Sequence, residues 1–482
     1  MTIATSFGID DLDPLNNGYW APEFGYDDLL MKPMHGGTLE PWALASLDNP
    51  TPTTWTLTLK PNITFGDGAK LDGPALAALL TWQLANNPGV SPLLPGATAT
   101  STGELTVTLT TKDPAPNVPS LLADESGFNL FDLPAYLAHK DKPADLIAAK
   151  IYVGPYTVTS LSADEMDLVA TPNYYGDTPK LKTLTVKFVP DADARIKAVE
   201  TGEADIALYP PTAAARQLAG RSDAYFVEGA AGSGVGGQEL YLNLRPTAMS
   251  DVLVRQALSH AIDYDQIANQ VLNGLYDQAV GLYPAYLPYA QHDLSFDQAT
   301  AKTLLDQAGW VEPSGGGTRA KDGKSLSLTV LTYPQQPDVG IVAVALQAQL
   351  KAVGIDLQIK QVDDIDSAMQ QPSGWDMGIS NDSALDFTGT DPVKKLVEAY
   401  ATGGDENYGG ISDPAVDALV KQLQTTTDET TRDSLLKQAQ TLILTTNAYG
   451  WFLDLKRSPV VVSPALQDYP VPMSNQWLTP YS

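Results

Sequence analysis

The chain has 482 residues and a formal net charge of −28, from 29 basic and 57 acidic side chains. Such a charge repels polyanions and argues against DNA, RNA or anionic lipid as partners, while the length exceeds one ordinary core and calls for two or three domains. With no cysteine there are no disulfides, thiolate metal sites or cysteine nucleophile, and 43% hydrophobic residues is too many for a mostly disordered chain. The longest apolar runs, residues 341–346 and 460–462, fall far short of a membrane span. The first six residues lack the basic and apolar pattern of a secretion leader, an absence that assigns no compartment.

Near the N-terminus, Tyr19, Trp20, Phe24 and Tyr26 crowd four aromatics into eight residues, a group suited to a core or to a pocket wall. Trp55, Leu57 and Leu59 alternate with Thr56, Thr58 and Lys60, the period of a half-buried strand. Pro61-Asn62 and Asp67-Gly68 then supply turns. Residues 74–84 read as a helix with Pro74 in its first turn, and alternating Leu105, Val107 and Leu109 predict a strand beside that of Trp55. From Tyr152 onward strands dominate until a helix over 192–201, stopped by Gly202.

Residues 229–237 hold five glycines and read as a linker. Gly232, Gly234 and Gly237 match G-x-G-x-x-G formally, but strand-like alternation follows where a nucleotide site needs a helix. Beyond it the spacing predicts helices over 254–271, 296–309 and 339–353, and a strand over 356–362. Two further helices are expected, one started by Asp413-Pro414 and one over 431–444. A short strand at 377–380 leads into a polar loop bearing Asn381, Asp382, Asp386 and Asp391, the kind of strand end where open α/β sheets place ligand contacts. The mixture predicts an α/β protein with separate lobes.

Catalytic and metal signals are weak. The histidines, His35, His139, His260 and His292, never fall at ligand spacing. There is no phosphate-binding loop and no G-x-S-x-G elbow. A secreted hydrolase is the rival reading from another class, and no nucleophile motif supports it.

Residues 55–68 resemble the W-x-F-x-L-R/K-x-G/N-V/I-x-F-x-D-G signature of the extracellular solute-binding proteins of ABC importers, family 5, the oligopeptide, dipeptide and nickel class. Asp11-Leu12-Asp13-Pro14, Gly154-Pro155-Tyr156, Asn173-Tyr174-Tyr175-Gly176 and Gly202-Glu203-Ala204-Asp205 resemble further family words. So do Val254-Arg255-Gln256-Ala257-Leu258, Ala308-Gly309-Trp310 and Asn407-Tyr408-Gly409-Gly410, all in the family's order. The resemblance implies a type II periplasmic-binding-protein fold: two lobes, a hinge, and an extra subdomain in the first lobe. The expected division is lobe I at 1–34, 151–236 and 451–482, the inserted subdomain at 35–150, and lobe II at 237–450.

It also implies a monomeric, non-enzymatic, extracytoplasmic protein without cofactor, lipid-anchored in full length, that hands a solute to a transmembrane permease. The expected ligand is a short peptide or amine-bearing compound, with a nickel or other metal chelate as the alternative. The expected ligand residues are Tyr19, Trp20 and Phe24 from the aromatic cluster, together with Glu125, Phe128, Asn129, Asn381, Asp382, Asp386 and Phe387. Asp382 or Asp386 matches the aspartate that holds a peptide amine in dipeptide-type relatives. The region expected to bring an arginine to the peptide carboxylate, 333–339, has none. Val393 stands where nickel-type relatives carry a histidine, and Glu125, Phe128 and Asn129 stand where they carry a carboxylate-binding arginine. Aspartates without arginine favour a cationic or neutral ligand.

Overall fold

Alternation within single strands decides how the first sheet is covered. Ile3, Ile206, Leu208, Val460 and Val462 pack into one apolar cluster, whereas their neighbours Ala4, Ala207 and Val461 pack into another. Successive strand side chains point to opposite faces, so apolar residues at every position of Ile206–Leu208 and Val460–Val462 require a sheet buried on both sides. The computed structural model, which describes residues 1–34, 38–234, 236–245, 248–383 and 391–471, meets that requirement with seven strands. Their order is Tyr225–Val227, Val460–Val462, Ile206–Leu208, Thr2–Thr5, Thr183–Phe188, Glu165–Ala170 and Tyr156–Leu161. Helices Ala192–Thr201 and Ala214–Leu218 cover one face.

The other face shares its core with a four-stranded sheet, Leu44–Thr51, Thr54–Leu59, Thr106–Thr110 and Thr98–Ser101. Trp55 lies opposite Leu109 there, the neighbours that alternation predicts. Helix Gly73–Asn86 belongs to the same core, its N-terminus capped by Asp72, which accepts from the Ala75 amide at 3.0 Å. Lobe II is built on a second sheet, in the order Asp356–Gln361, Ser327–Thr332, Met377–Ser383, Gly236–Leu242 and Gly450–Phe452. Helix Pro337–Lys351 packs on it through Val339, Val342, Leu346 and Leu350. The whole is the α/β, two-lobed type II fold.

The chain crosses between the two large sheets after Val227 and again after Phe452, and the two crossings touch. The Gly229 amide donates to the Arg457 carbonyl at 2.8 Å, and Arg457 pairs with Asp277 at 2.7 Å. Asp277 also accepts from the amides of Gly232 and Gly234. A Cβ on Gly237 would stand 2.2 Å from the Asp454 carbonyl oxygen, so glycine is what lets these backbones meet.

Three expectations change. The glycine-rich segment is not all linker, since Gly236 and Gly237 already pair with Ser383 and Asp382. For the same reason the strand expected to stop at 380 runs to Ser383, and Asn381 and Asp382 sit on it rather than on a loop. The helix expected over 254–271 breaks after Ala261. Ile262 is extended, and Asp263 caps a new turn by accepting from the Gln266 amide at 2.9 Å; a π-helical stretch, Ile267–Val271, follows.

Candidate ligand-binding cleft

Between the lobes lies a cavity of about 450 Å³, within the size range of small-molecule sites. Lobe I contributes Tyr19, Trp20, Glu23 and Tyr209 to its wall; lobe II contributes Asp366, Asn381, Asp382, Glu406 and Tyr408. Trp20 opens the short helix Trp20–Glu23 and is fixed by stacking on the buried Phe24, ring centroids 5.7 Å apart. Tyr19 stays 38% exposed beside it.

Tyr209 has a left-handed backbone, φ 53°, a strained state for a bulky residue. The buried Arg195 holds it there, donating to the carbonyls of Leu208 at 3.0 Å and Tyr209 at 2.9 Å. Burial among neutral acceptors pulls the Arg195 guanidinium down to about 10, against the pull of Asp191. The Tyr209 ring thereby faces Phe7 edge-on at 5.2 Å, and its hydroxyl donates to Glu23 at 3.4 Å.

On lobe II, Lys395 gathers the carboxylates. Its Nζ lies 2.5 Å from Asp382, 2.8 Å from Glu239 and 2.9 Å from Glu406, and 2.7 Å from the Tyr241 hydroxyl. Burial works against the Lys395 charge, but Asp382, Glu239 and Glu406 outweigh it and hold the ammonium well above its ordinary range. Glu406 is pushed up to about 7 by burial and by Asp382, with Lys395 opposing. Asp366 accepts from the Tyr408 hydroxyl at 3.2 Å; burial and Asp382 raise it.

Polar contacts among the described residues bridge the lobes. Lys394 reaches from lobe II to Asp124 at 3.2 Å and to the Ser126 hydroxyl at 2.6 Å. Nearer the hinge, Asp338 accepts from the amide and hydroxyl of Thr212, both at 3.1 Å. A cleft walled by both lobes and closed by polar contacts between them is built to surround a small molecule.

Residues 38–402 match the family described as bacterial extracellular solute-binding proteins, family 5 Middle. The chain belongs to that family. This solute-binding protein is 25% identical to the nickel-binding protein NikA of Staphylococcus aureus over 414 residues, covering 86% of this chain and 80% of NikA. The crystal structure of NikA from Staphylococcus aureus with Ni(L-His)2 superposes with a TM-score of 0.84 at 23% identity, over 96% of this chain and 94% of that one. The nickel-binding periplasmic protein of Escherichia coli is 27% identical over 74% of this chain and 70% of its own. The peptide complex of DppA from Helicobacter pylori has a TM-score of 0.81 at 20% identity, covering 99% and 96%. As in the rest of its family, its work is to capture a solute outside the cytoplasm for an ABC importer.

Of the residues singled out from the sequence of this solute-binding protein, the cavity wall brings together Tyr19, Trp20, Asn381 and Asp382. Phe24, Phe128 and Asn129 are buried behind the wall; Asn129 donates to the Gly18 carbonyl at 3.0 Å, below the aromatic group. Glu125 is buried as well, and burial together with Asp124 holds it well above the usual carboxylate range. Asp386 and Phe387 lie outside the described residues. Asp391 is not on the wall: it pairs with Arg432 at 2.5 Å and accepts from the Val393 amide. Sequence reasoning missed Glu23, Tyr209, Asp366, Lys394, Glu406, Tyr408 and Lys456. Tyr408 lies within a family word, Glu406 directly precedes it, and Lys394 follows Asp391-Pro392-Val393, so those three carried a local signal.

Proposed function

We propose that this solute-binding protein takes up a short peptide or comparable amine-bearing solute, releases it unaltered to its permease, and does so as a lipid-anchored monomer that binds no nucleic acid. One observation carries the ligand class. Among the described residues, the wall of the cleft holds six carboxylates (Glu23, Asp366, Asp382, Glu398, Asp405 and Glu406) against two lysines, Lys394 and Lys456. Lys395 behind the wall offsets part of that excess. An excess of acid in a partly desolvated site attracts a cation.

Thermal unfolding with a panel of dipeptides tests the proposal. A ligand at about 100 times its dissociation constant adds roughly 2.7 kcal/mol to stability, so at least one dipeptide should raise Tm by several degrees. No response to any of them rejects the peptide reading. The second reading, a nickel chelate, is favoured by the nickel-binding relatives. The described wall offers carboxylates and tyrosines rather than imidazoles, so nickel would enter already chelated. Nickel with histidine belongs in the same panel, and stabilisation by it alone selects that reading.

A further inference from the structure

Three lysines meet the cleft or its backing, and their surroundings differ. Lys395 is matched by Asp382, Glu239 and Glu406, and Lys394 by Asp124 and Glu398. Lys456 is only 8% exposed and lines the cavity, yet its Nζ donates to one neutral acceptor, the Gln336 side-chain oxygen at 2.8 Å. Beyond that it lies over the Tyr209 ring, 4.7 Å from the centroid. An ammonium has three N–H donors, and a buried one is costly unless both charge and hydrogen bonds are met.

The acids that act on Lys456 are Asp338 and Asp454, with Arg195 opposing them. Asp338 already accepts from Thr212 and Tyr276, and Asp454 from the Gln238 amide. Burial raises both carboxyls, and among the described residues neither forms an ion pair with Nζ. Burial accordingly pulls Lys456 itself down to about 8, the mark of a cation whose surroundings under-compensate it. Of the acid wall, Glu23 accepts from the hydroxyl of Tyr209, the ring that Lys456 covers, whereas Asp366 and Asp382 stand on lobe II.

We infer that Lys456 receives the carboxylate of the ligand, so that the cleft selects solutes carrying an acid group together with an amine. This rests on the amine-bearing reading above and refines it: the acid wall takes the ammonium end and Lys456 the carboxylate end. One carboxylate supplies both acceptors for the unused N–H donors of Lys456 and its missing counter-charge. A strong charge-assisted contact of this kind is what fixes a small ligand's orientation in a largely preformed site.

Calorimetric titration of the full chain with Ala-Ala and Gly-Leu, each as free acid and as C-terminal amide, tests the inference. The free acids should bind wild type roughly 10- to 100-fold more tightly than the amides, the worth of one hydrogen bond to a charged group, and Lys456→Met should erase the difference. Equal affinity of wild type for acid and amide overturns the inference without needing a variant. A second arm uses acetate against chloride at equal ionic strength. Acetate should raise the Tm of wild type and not of Lys456→Met, and an equal response of the two overturns the inference. If neither dipeptide binds in any form, the peptide reading loses its support and the acetate arm alone decides the role of Lys456.

Discussion

Asp28 is fully buried, and one of its oxygens accepts from two phenols, Tyr174 at 2.6 Å and Tyr175 at 2.5 Å. Both tyrosines come from the family word Asn173-Tyr174-Tyr175-Gly176, so that word serves to close a buried carboxyl beneath lobe I. Burial lifts Asp28 to about 7, with Tyr174 and Tyr175 holding it down only in part. A carboxyl that is raised on folding binds its proton more tightly in the folded chain than in the unfolded one. Its contribution to stability is therefore complete below the unfolded value, near 4, and is lost as pH rises to about 7. Asp28→Asn, which cannot ionise, should match wild type near pH 4. It should become progressively more stable than wild type as pH rises, by up to a few kcal/mol at pH 7.5. Urea unfolding of both chains at three pH values measures this, and parallel pH profiles would show that Asp28 does not titrate in this range.

Among the elements, the two crossings between the lobes are the most demanding of sequence. Gly237 faces the Asp454 carbonyl so closely that a methyl group would overlap it, and the Asp454 backbone cannot move aside without pulling its strand from Tyr276–Gln278. Gly237→Ala should cost about 1–3 kcal/mol, the range for overpacking. Gly8→Ala, where an added methyl meets nothing within 4 Å, should change stability by less than about 0.5 kcal/mol. Comparable losses in the two variants would remove steric approach as the reason for glycine at 237.

The same region shows what the sequence could and could not reveal. Strands with strict alternation, such as Thr54–Leu59, and helices with a cap, such as Gly73–Asn86, were legible because local chemistry decides them. Pairing partners were not. Asn381 and Asp382 look like loop residues until Gln238 and Gly237, more than 140 positions earlier in the chain, are seen to pair with them. Asp382 was legible as a cleft residue, but its neighbour Lys395 was not, since nothing local joins a strand to the helix that delivers the lysine. Lys456 had no local signal at all: only the folding of a C-terminal strand beside Tyr276–Gln278 brings it to the cavity.

At the scale of the whole molecule, the contact between Lys394 and Asp124 ties lobe II to lobe I beside the cleft, and it exists only while the lobes are together. Both side chains are nearly inaccessible, 5% and 0% exposed. In an open molecule each would regain water at little cost. Removing the lysine therefore penalises the two states unequally: the closed form keeps a buried carboxylate without its ammonium, a loss of the order of 3–5 kcal/mol, whereas the open form loses almost nothing. Lys394→Met should shift the ligand-free population toward the open form. Apparent affinity should fall in proportion to the fraction left able to close, while saturating ligand should still restore the compact shape. Small-angle scattering reads both: the ligand-free radius of gyration should be larger in Lys394→Met than in wild type, and the two should converge when the cleft is filled. Identical ligand-free radii would mean that the lobes are held by the Thr212–Asp338 contact and the crossings, with Lys394 shaping only the rim of the cleft.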